Sequence, residues 1–302
     1  MTAAALTTLF FALGSLCGGR LSKPLGGTHA YAIRSIPVII ILATYAFLFG
    51  QGIAGPGVGL LIISGVIGFG IGDIALFQSY QRIGPRLAIL LCQCLAAPIA
   101  ALTEWLWLGT ALTPLQLFLV FLILCGTSLA LMPSDHLHLP GSTLRSGVLL
   151  GVAAAFGQAW GAVLSRHAYE LNDAAGVSVD AMTITFQRML GGAAFIIPFY
   201  LIYLISRQHQ GQQPLQRLSK LRQLWPWLLG SSLAGPIIGV ALYQWALATT
   251  ASGVVLAIVA TTPIVVMPLT WLIDGDRPSL RAVCGAVLAV LGVISLLLGG
   301  RL

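Results

Sequence analysis

The sequence predicts an all-α integral membrane protein whose ten transmembrane helices form two inverted five-helix repeats. The chain of 302 residues is 58% hydrophobic and only 8% charged, whereas a soluble domain carries about 25% charged residues. Its apolar residues form ten runs that are about as long as hydrocarbon is thick, and two distant stretches repeat one pattern. Because so few charges cannot keep a surface in water, we expect lipid to be the main solvent.

Short breakers such as Gly84-Pro85 and Pro140-Gly141 separate the ten apolar runs. The runs are too long and too uniform for barrel strands, which alternate apolar and polar residues with a period of two. Lipid offers backbone groups no hydrogen bonds, so each run is predicted to be a helix. The predicted spans are residues 3–19, 31–50, 58–80, 87–108, 112–132, 147–166, 181–205, 225–249, 252–273 and 280–300.

A short sequence repeat relates the first span to the sixth. ALGSLCGGRLSK (12–23) and AFGQAWGAVLSR (155–166) are identical at five of twelve positions, and both end on a cation. Ten spans divide into five and five, and an odd number of crossings makes the second half enter the membrane from the opposite side. This predicts two inverted repeats, 1–133 and 145–302, an architecture typical of secondary transporters.

Small residues four apart indicate which helices approach each other closely. Such pairs let helix backbones come together in lipid, so we expect spans 1, 3, 6 and 8 to pack at the centre. The pairs are Gly14 and Gly18, Gly68 and Gly72, Gly157 and Gly161, and Gly235 and Gly239.

The net charge of +7 points to a membrane surface rather than to nucleic acid, because the cations fall mainly between the apolar runs. Twelve of the fifteen Lys and Arg residues lie in or beside odd-numbered loops. The positive-inside rule makes those loops cytoplasmic and places both termini outside. The expected partners are a small-molecule substrate and the lipid bilayer, with the chain acting as a monomer or a homodimer.

Two long stretches, Gly70–Leu131 and Gly235–Leu298, share an order of features. Each has an aromatic-Gln helix, a tight turn, a helix with a mid-span proline, a short glycine turn and a final glycine-spaced helix. Both stretches resemble the later part of an EamA domain of the drug/metabolite transporter superfamily. The resemblance implies a ten-helix fold that moves small metabolites, often amino acids or related compounds and usually outward, in a bacterial inner membrane.

The chain departs from the EamA pattern in two respects. Many members have Leu-Gly-Glu after the fourth helix of each repeat, whereas this chain has Leu108-Gly109-Thr110 and Asp274-Gly275-Asp276. Many members also have both termini in the cytoplasm, which is the reverse of what the charge distribution predicts here.

Four charged residues within the apolar runs are candidates for ion coupling or charge pairing, because charges in hydrocarbon usually face a cavity or a partner. Asp73 is either a proton-binding or cation-binding carboxylate or the structural partner of an arginine. Glu104 either shares a polar stripe with Gln93 in a central cavity or lies at headgroup level beside two tryptophans. Arg34 and Arg188 occupy matching places in spans 2 and 7. They either attract a carboxylate substrate or have a structural role, in which they extend to the interface or join the halves by pairing with an acid.

Polar and aromatic side chains in the spans are the candidate substrate-binding residues, since amides and hydroxyls suit a zwitterionic or neutral polar ligand. Their alternative role is hydrogen bonding between helices, worth roughly 0.6–2 kcal/mol each. The candidates are Ser15, Gln78, Gln93, Gln158, Trp160, Tyr243 and Gln244.

These features predict a secondary carrier driven by an ion gradient or by exchange, because no glycine-rich nucleotide motif is present. The alternative is an integral membrane enzyme acting on a lipid-linked substrate, but the sequence lacks the usual catalytic motifs. No catalytic residue, cofactor or metal site is therefore predicted. The five cysteines lie in apolar runs and are interpreted as small buried thiols.

Overall fold

The computed structural model describes residues 2–109, 112–131, 141–209, 221–274 and 279–299, and every regular element in these ranges is a helix. Two short segments, π1 (Val66–Gly72) and π2 (Leu233–Gly239), have π-helical winding. The α-helices are α1 (Thr2–Leu25), α2 (Gly27–Leu48), α3 (Val58–Gly65), α4 (Asp73–Leu108), α5 (Pro114–Leu131), α6 (Gly141–Ala174), α7 (Ala181–His209), α8 (Leu221–Ser232), α9 (Val240–Thr249), α10 (Ser252–Val259), α11 (Thr262–Asp274) and α12 (Leu280–Gly299).

Eight helices in the described part of the chain are long and apolar enough to cross a membrane. The predicted runs 112–132 and 280–300 also form helices, but their apolar portions are shorter, Pro114–Leu129 and Leu280–Ser295. Large apolar side chains such as Ile40, Phe121 and Leu149 are more than half exposed. Because lipid is an acceptable solvent for such a surface, these features describe a multi-pass integral membrane protein.

The break predicted at Gly84-Pro85 is present inside α4. Gly84 has φ 78° and ψ 160°, which separates the helix into two spans. Glycine adopts this positive φ without the strain that a β-carbon would add, and Pro85 then begins the next helical stretch without needing a hydrogen bond from its nitrogen. The break at Gly84 therefore explains why α4 contains the end of one predicted span, 58–80, and the whole of the next, 87–108.

The glycine pairs bring helices of the two halves together, as their spacing predicts. A β-carbon built on Gly14 of α1 would lie 2.9 Å from the backbone nitrogen of Gly235 in π2. A β-carbon built on Gly157 of α6 would lie 2.6 Å from Cα of Gly72 in π1. The first helix of each half thus packs against the third helix of the other half.

Further contacts join matching helices across the halves. Helix α2 packs against α7, and α5 packs against α12. In the second pair, a β-carbon on Gly126 would lie 2.6 Å from the backbone nitrogen of Ala289. The interior is therefore built from both halves at once, and neither half encloses it alone.

Gly157→Ala should destabilise the protein, because its new methyl group would meet the backbone of Gly72 at 2.6 Å. Overpacking of this kind typically costs about 1–3 kcal/mol. Gly59→Ala is the matched control, since a β-carbon there meets nothing within 4 Å. Thermal unfolding of both variants in detergent checks this, and equal midpoints for the two would contradict the close packing of α6 on π1.

Candidate functional site

A cavity of about 110 Å³ lies between the two halves of the chain. It is comparable to the roughly 150 Å³ engineered cavity that holds a benzene ring in a soluble protein, so its size suits a small metabolite. Its polar and charged lining residues are Ser15, Arg34, Asp73, Tyr80, Cys92, Gln93, Gln158, Arg188, Tyr243 and Thr262. Seven of the eleven candidate residues chosen from the sequence are among them.

Arg34 and Asp73 form an ion pair in the wall of the cavity. Arg34 Nη2 lies 2.7 Å from Asp73 Oδ2, and the guanidinium carbon lies 4.6 Å from the centre of the Phe77 ring. The Arg34 side chain is 9% exposed and the Asp73 side chain 24%. Asp73 is therefore the partner of an arginine, which is one of the two roles predicted for it. Part of its carboxylate still faces the cavity.

Arg188 also lines the cavity, in a notch formed by two glycines. A β-carbon on Gly161 would lie 2.8 Å from Arg188 Nη2, and one on Gly68 would lie 3.0 Å from it. The guanidinium carbon lies 4.9 Å from the centre of the Phe69 ring. Among the described residues, no carboxylate lies within 4.0 Å of it. Glycine at both positions leaves room for the Arg188 guanidinium, which a larger side chain at either position would displace.

Two amide side chains connect the halves at the cavity. Gln158 Nε2 of α6 donates a 2.6 Å hydrogen bond to Gln93 Oε1 of α4, and Cys92 Sγ donates to Gln158 Oε1 at 3.4 Å. Ser15 Oγ donates to the carbonyl of Ala12 one turn earlier. The glutamines form a polar contact across the halves, and each also retains hydrogen-bonding capacity toward a ligand.

A family model described as the EamA-like transporter family matches residues 1–132 and 145–298. The chain belongs to this EamA-like family of the drug/metabolite transporter superfamily. A solved structure titled "Crystal structure of protein" is 18% identical, with a TM-score of 0.67 over 99% of this chain and 95% of the other. That likeness concerns the fold. No curated protein matches the chain.

Membership of the EamA family makes the protein a membrane transporter of the drug/metabolite type, and members of this family are transporters rather than enzymes. The alternative of an enzyme acting on a lipid-linked substrate is therefore not favoured. The described residues contain no group of three or more His, Cys, Asp and Glu placed to hold a metal ion.

The aromatic-Gln motif of the second half of this EamA protein places its two polar residues differently. Tyr243 lines the cavity and is 3% exposed, and its hydroxyl has no hydrogen-bond partner among the described residues. Gln244 is fully buried beside the cavity and does not line it. Adjacent residues on a helix point about 100° apart, so of these two residues only Tyr243 faces the cavity.

Glu104 lies outside the cavity in a buried joint, contrary to the prediction of a shared stripe with Gln93. Its Oε1 lies 2.7 Å from Arg166 Nε, and its Oε2 accepts bonds from the backbone and the hydroxyl of Ser252. Glu104 itself is only 1% exposed. A buried carboxylate requires such partners, and the joint connects α4, α6 and the start of α10.

Gln78 and Trp160 also lie outside the cavity in this EamA protein. Gln78 Nε2 donates to Thr28 Oγ1 at 2.7 Å, and Gln78 Oε1 accepts from Arg82 at 2.6 Å. These residues border a separate hollow at one end of the helices. Trp160 is 47% exposed on the outer surface, because it lies two residues after Gln158 and therefore on another face of α6.

Several features of the site were missed or lie elsewhere. Arg166 was recognised only as a repeated terminal cation, and no sequence signal connected it with Glu104, 62 positions earlier.

All five cysteines are free, and two of them, Cys125 and Cys284, are exposed rather than buried. Thr110, Gly275 and Asp276 lie outside the described residues, as do residues 132–140 and 300–302 of the predicted repeats and linker.

Asp73→Asn should lower the stability of this EamA protein by about 3 kcal/mol or more, because it leaves the buried Arg34 without its counter-ion. Arg34→Gln should also destabilise it, and the double variant should recover part of the loss, because no unpaired charge remains. Thermal unfolding of the four proteins in detergent gives the coupling energy. Strictly additive losses would show that the pair contributes nothing.

Proposed function

We propose that the protein is a secondary carrier that exports a small polar metabolite, such as an amino acid or a related compound, by alternating access. The observation that carries this proposal is a small cavity that is lined by matching helices of both halves and has charged and amide side chains in its wall. Arg34 and Arg188 face it from α2 and α7, and Gln93 and Gln158 join across it. A ligand held between two halves can be released to either side when one half rocks against the other.

The architecture we propose is the ten-helix inverted repeat, with residues 1–133 and 145–302 as its halves. Its support is the reciprocal packing described above, in which α1 contacts π2 while α6 contacts π1. Two similar units related by a two-fold axis produce such reciprocal contacts. We place the protein in a bacterial inner membrane, with the cation-rich odd-numbered loops in the cytoplasm.

Asp73 is the residue we propose for coupling to protons or another cation. It alone among the acids lines the described part of the cavity, and its side chain keeps 24% exposure there. Glu104 is bound on both carboxylate oxygens by Arg166 and Ser252. The other titratable groups around the cavity are Arg34, Tyr80, Cys92, Arg188 and Tyr243.

Purified protein in liposomes should exchange at least one compound of a panel of radiolabelled amino acids and small organic acids. Gln158→Leu should slow that exchange about tenfold, because losing a hydrogen bond at this partly buried site costs about 1–3 kcal/mol. Gln223→Leu is the matched control, since Gln223 is exposed on α8, and its exchange should stay within about twofold of the wild type. Correctly folded protein that exchanges nothing in the panel would contradict the carrier function.

Asp73→Asn should abolish the stimulation of transport by a pH gradient while one-for-one exchange continues, because exchange needs no net proton movement. Glu104→Gln should keep that stimulation, since Glu104 lies outside the cavity. Both quantities are measured in the same liposomes, with and without an imposed gradient. If Asp73→Asn retained its full pH dependence, the coupling role of Asp73 would be refuted.

A further inference from the structure

The two arginines of the cavity have matching positions but different partners. Arg34 in α2 is paired with Asp73, the residue directly after π1. The corresponding position after π2 is Val240, which also lines the cavity. The second half therefore keeps the cation, Arg188, without an acid at the matching position. Asp73 is near enough to interact electrostatically with Arg188, but its ion pair is with Arg34.

Arg188 is prepared to bind an anion. The residue is 4% exposed, and its Nε has no hydrogen-bond partner among the described residues. The glycine notch at Gly68 and Gly161 and the Phe69 ring hold the guanidinium in place without satisfying its donors. The Tyr243 hydroxyl, buried and also without a partner, lines the same cavity.

The charges of the cavity do not balance without a ligand. Two arginines and one aspartate line it in the described part of the chain, which leaves one positive charge. An isolated charge out of water is unfavourable unless a counter-ion reaches it. One singly charged anion would neutralise the cavity, whereas a doubly charged phosphate would leave an excess negative charge.

We propose that the substrate carries a carboxylate that binds Arg188, with the Tyr243 hydroxyl as a second donor. The planar guanidinium matches a carboxylate with two parallel hydrogen bonds. This proposal rests on the proposed carrier function and specifies the chemical class of its substrate. The Arg34–Asp73 pair remains intact in the bound state, and Gln93 and Gln158 contact the rest of the molecule.

A second hollow of about 350 Å³ favours the approach of such an anion. It lies where α1 ends, α2 and α6 begin and α7 ends, and it is lined by Arg82 and Arg207. None of its described lining residues is acidic. A concave surface with charges of one sign raises the local concentration of the opposite ion.

The first test compares acids with their amides. Binding to purified wild-type protein is measured for a panel of amino acids and small monocarboxylates, each beside its carboxamide. At least one acid should bind about tenfold or more tightly than its amide, and Arg188→Gln should remove that difference. Arg222→Gln is the control, because Arg222 is exposed on α8, and it should bind like the wild type.

The second test keeps Arg188 in place, which matters if Arg188→Gln does not fold. Val240→Asp supplies the missing acid, and Val240→Asn has nearly the same shape without the charge. Val240→Asp should weaken binding of the acid about tenfold or more by occupying Arg188, whereas Val240→Asn should change it less than about threefold. Equal effects of the two variants would overturn the proposal.

The outcomes separate this proposal from the carrier function. If the protein exchanges a compound without a carboxylate, or binds acid and amide equally, the role of Arg188 is refuted while the carrier function stands. If no acid in the panel binds, the proposal is refuted as well. Liposomes in which folded protein exchanges no compound at all would instead refute the carrier function itself.

Discussion

Close approach of glycine backbones is the constraint on which the rest of the interior depends. Gly14 touches Gly235, and Gly157 touches Gly72, so helices from opposite halves come together without intervening side chains. Lipid provides no hydrophobic force between helices, and close van der Waals packing takes its place. These two contacts bring α2, α4 and α7 near enough to enclose a cavity with charged and amide side chains between the halves.

The interior charges follow from this enclosure. Helices packed so tightly leave little water, so each ionised group needs a partner from another helix. Asp73 is held by Arg34 and Glu104 by Arg166 at 2.7 Å in each case. Arg188 is the exception among these groups in the described structure, since no carboxylate forms an ion pair with it, and this is why we propose it as the anion-binding residue.

The sequence predicted those parts of the structure that depend on local pattern. Charge-poor runs of about 20 residues gave helices, Gly84-Pro85 gave a break, and the glycine pairs identified the helices that touch. The stripe predicted for Glu104 and Gln93 was wrong because the partner of Glu104, Arg166, lies far along the chain and no local pattern connects the two. Trp160 could have been excluded from the cavity, since its distance of two residues from Gln158 turns it to another face of the helix.

The two π segments have a consequence for how neighbouring helices are joined in this molecule. In them the amide of Asp73 bonds to the carbonyl of Gly68, and the amide of Val240 to that of Gly235, five residues back. The wider winding changes the usual pairing of carbonyls, and the Phe69 carbonyl accepts its bond from the Tyr31 hydroxyl. The main-chain oxygen of Phe69 thus joins π1 to α2, and truncating the Phe69 side chain would leave that acceptor in place.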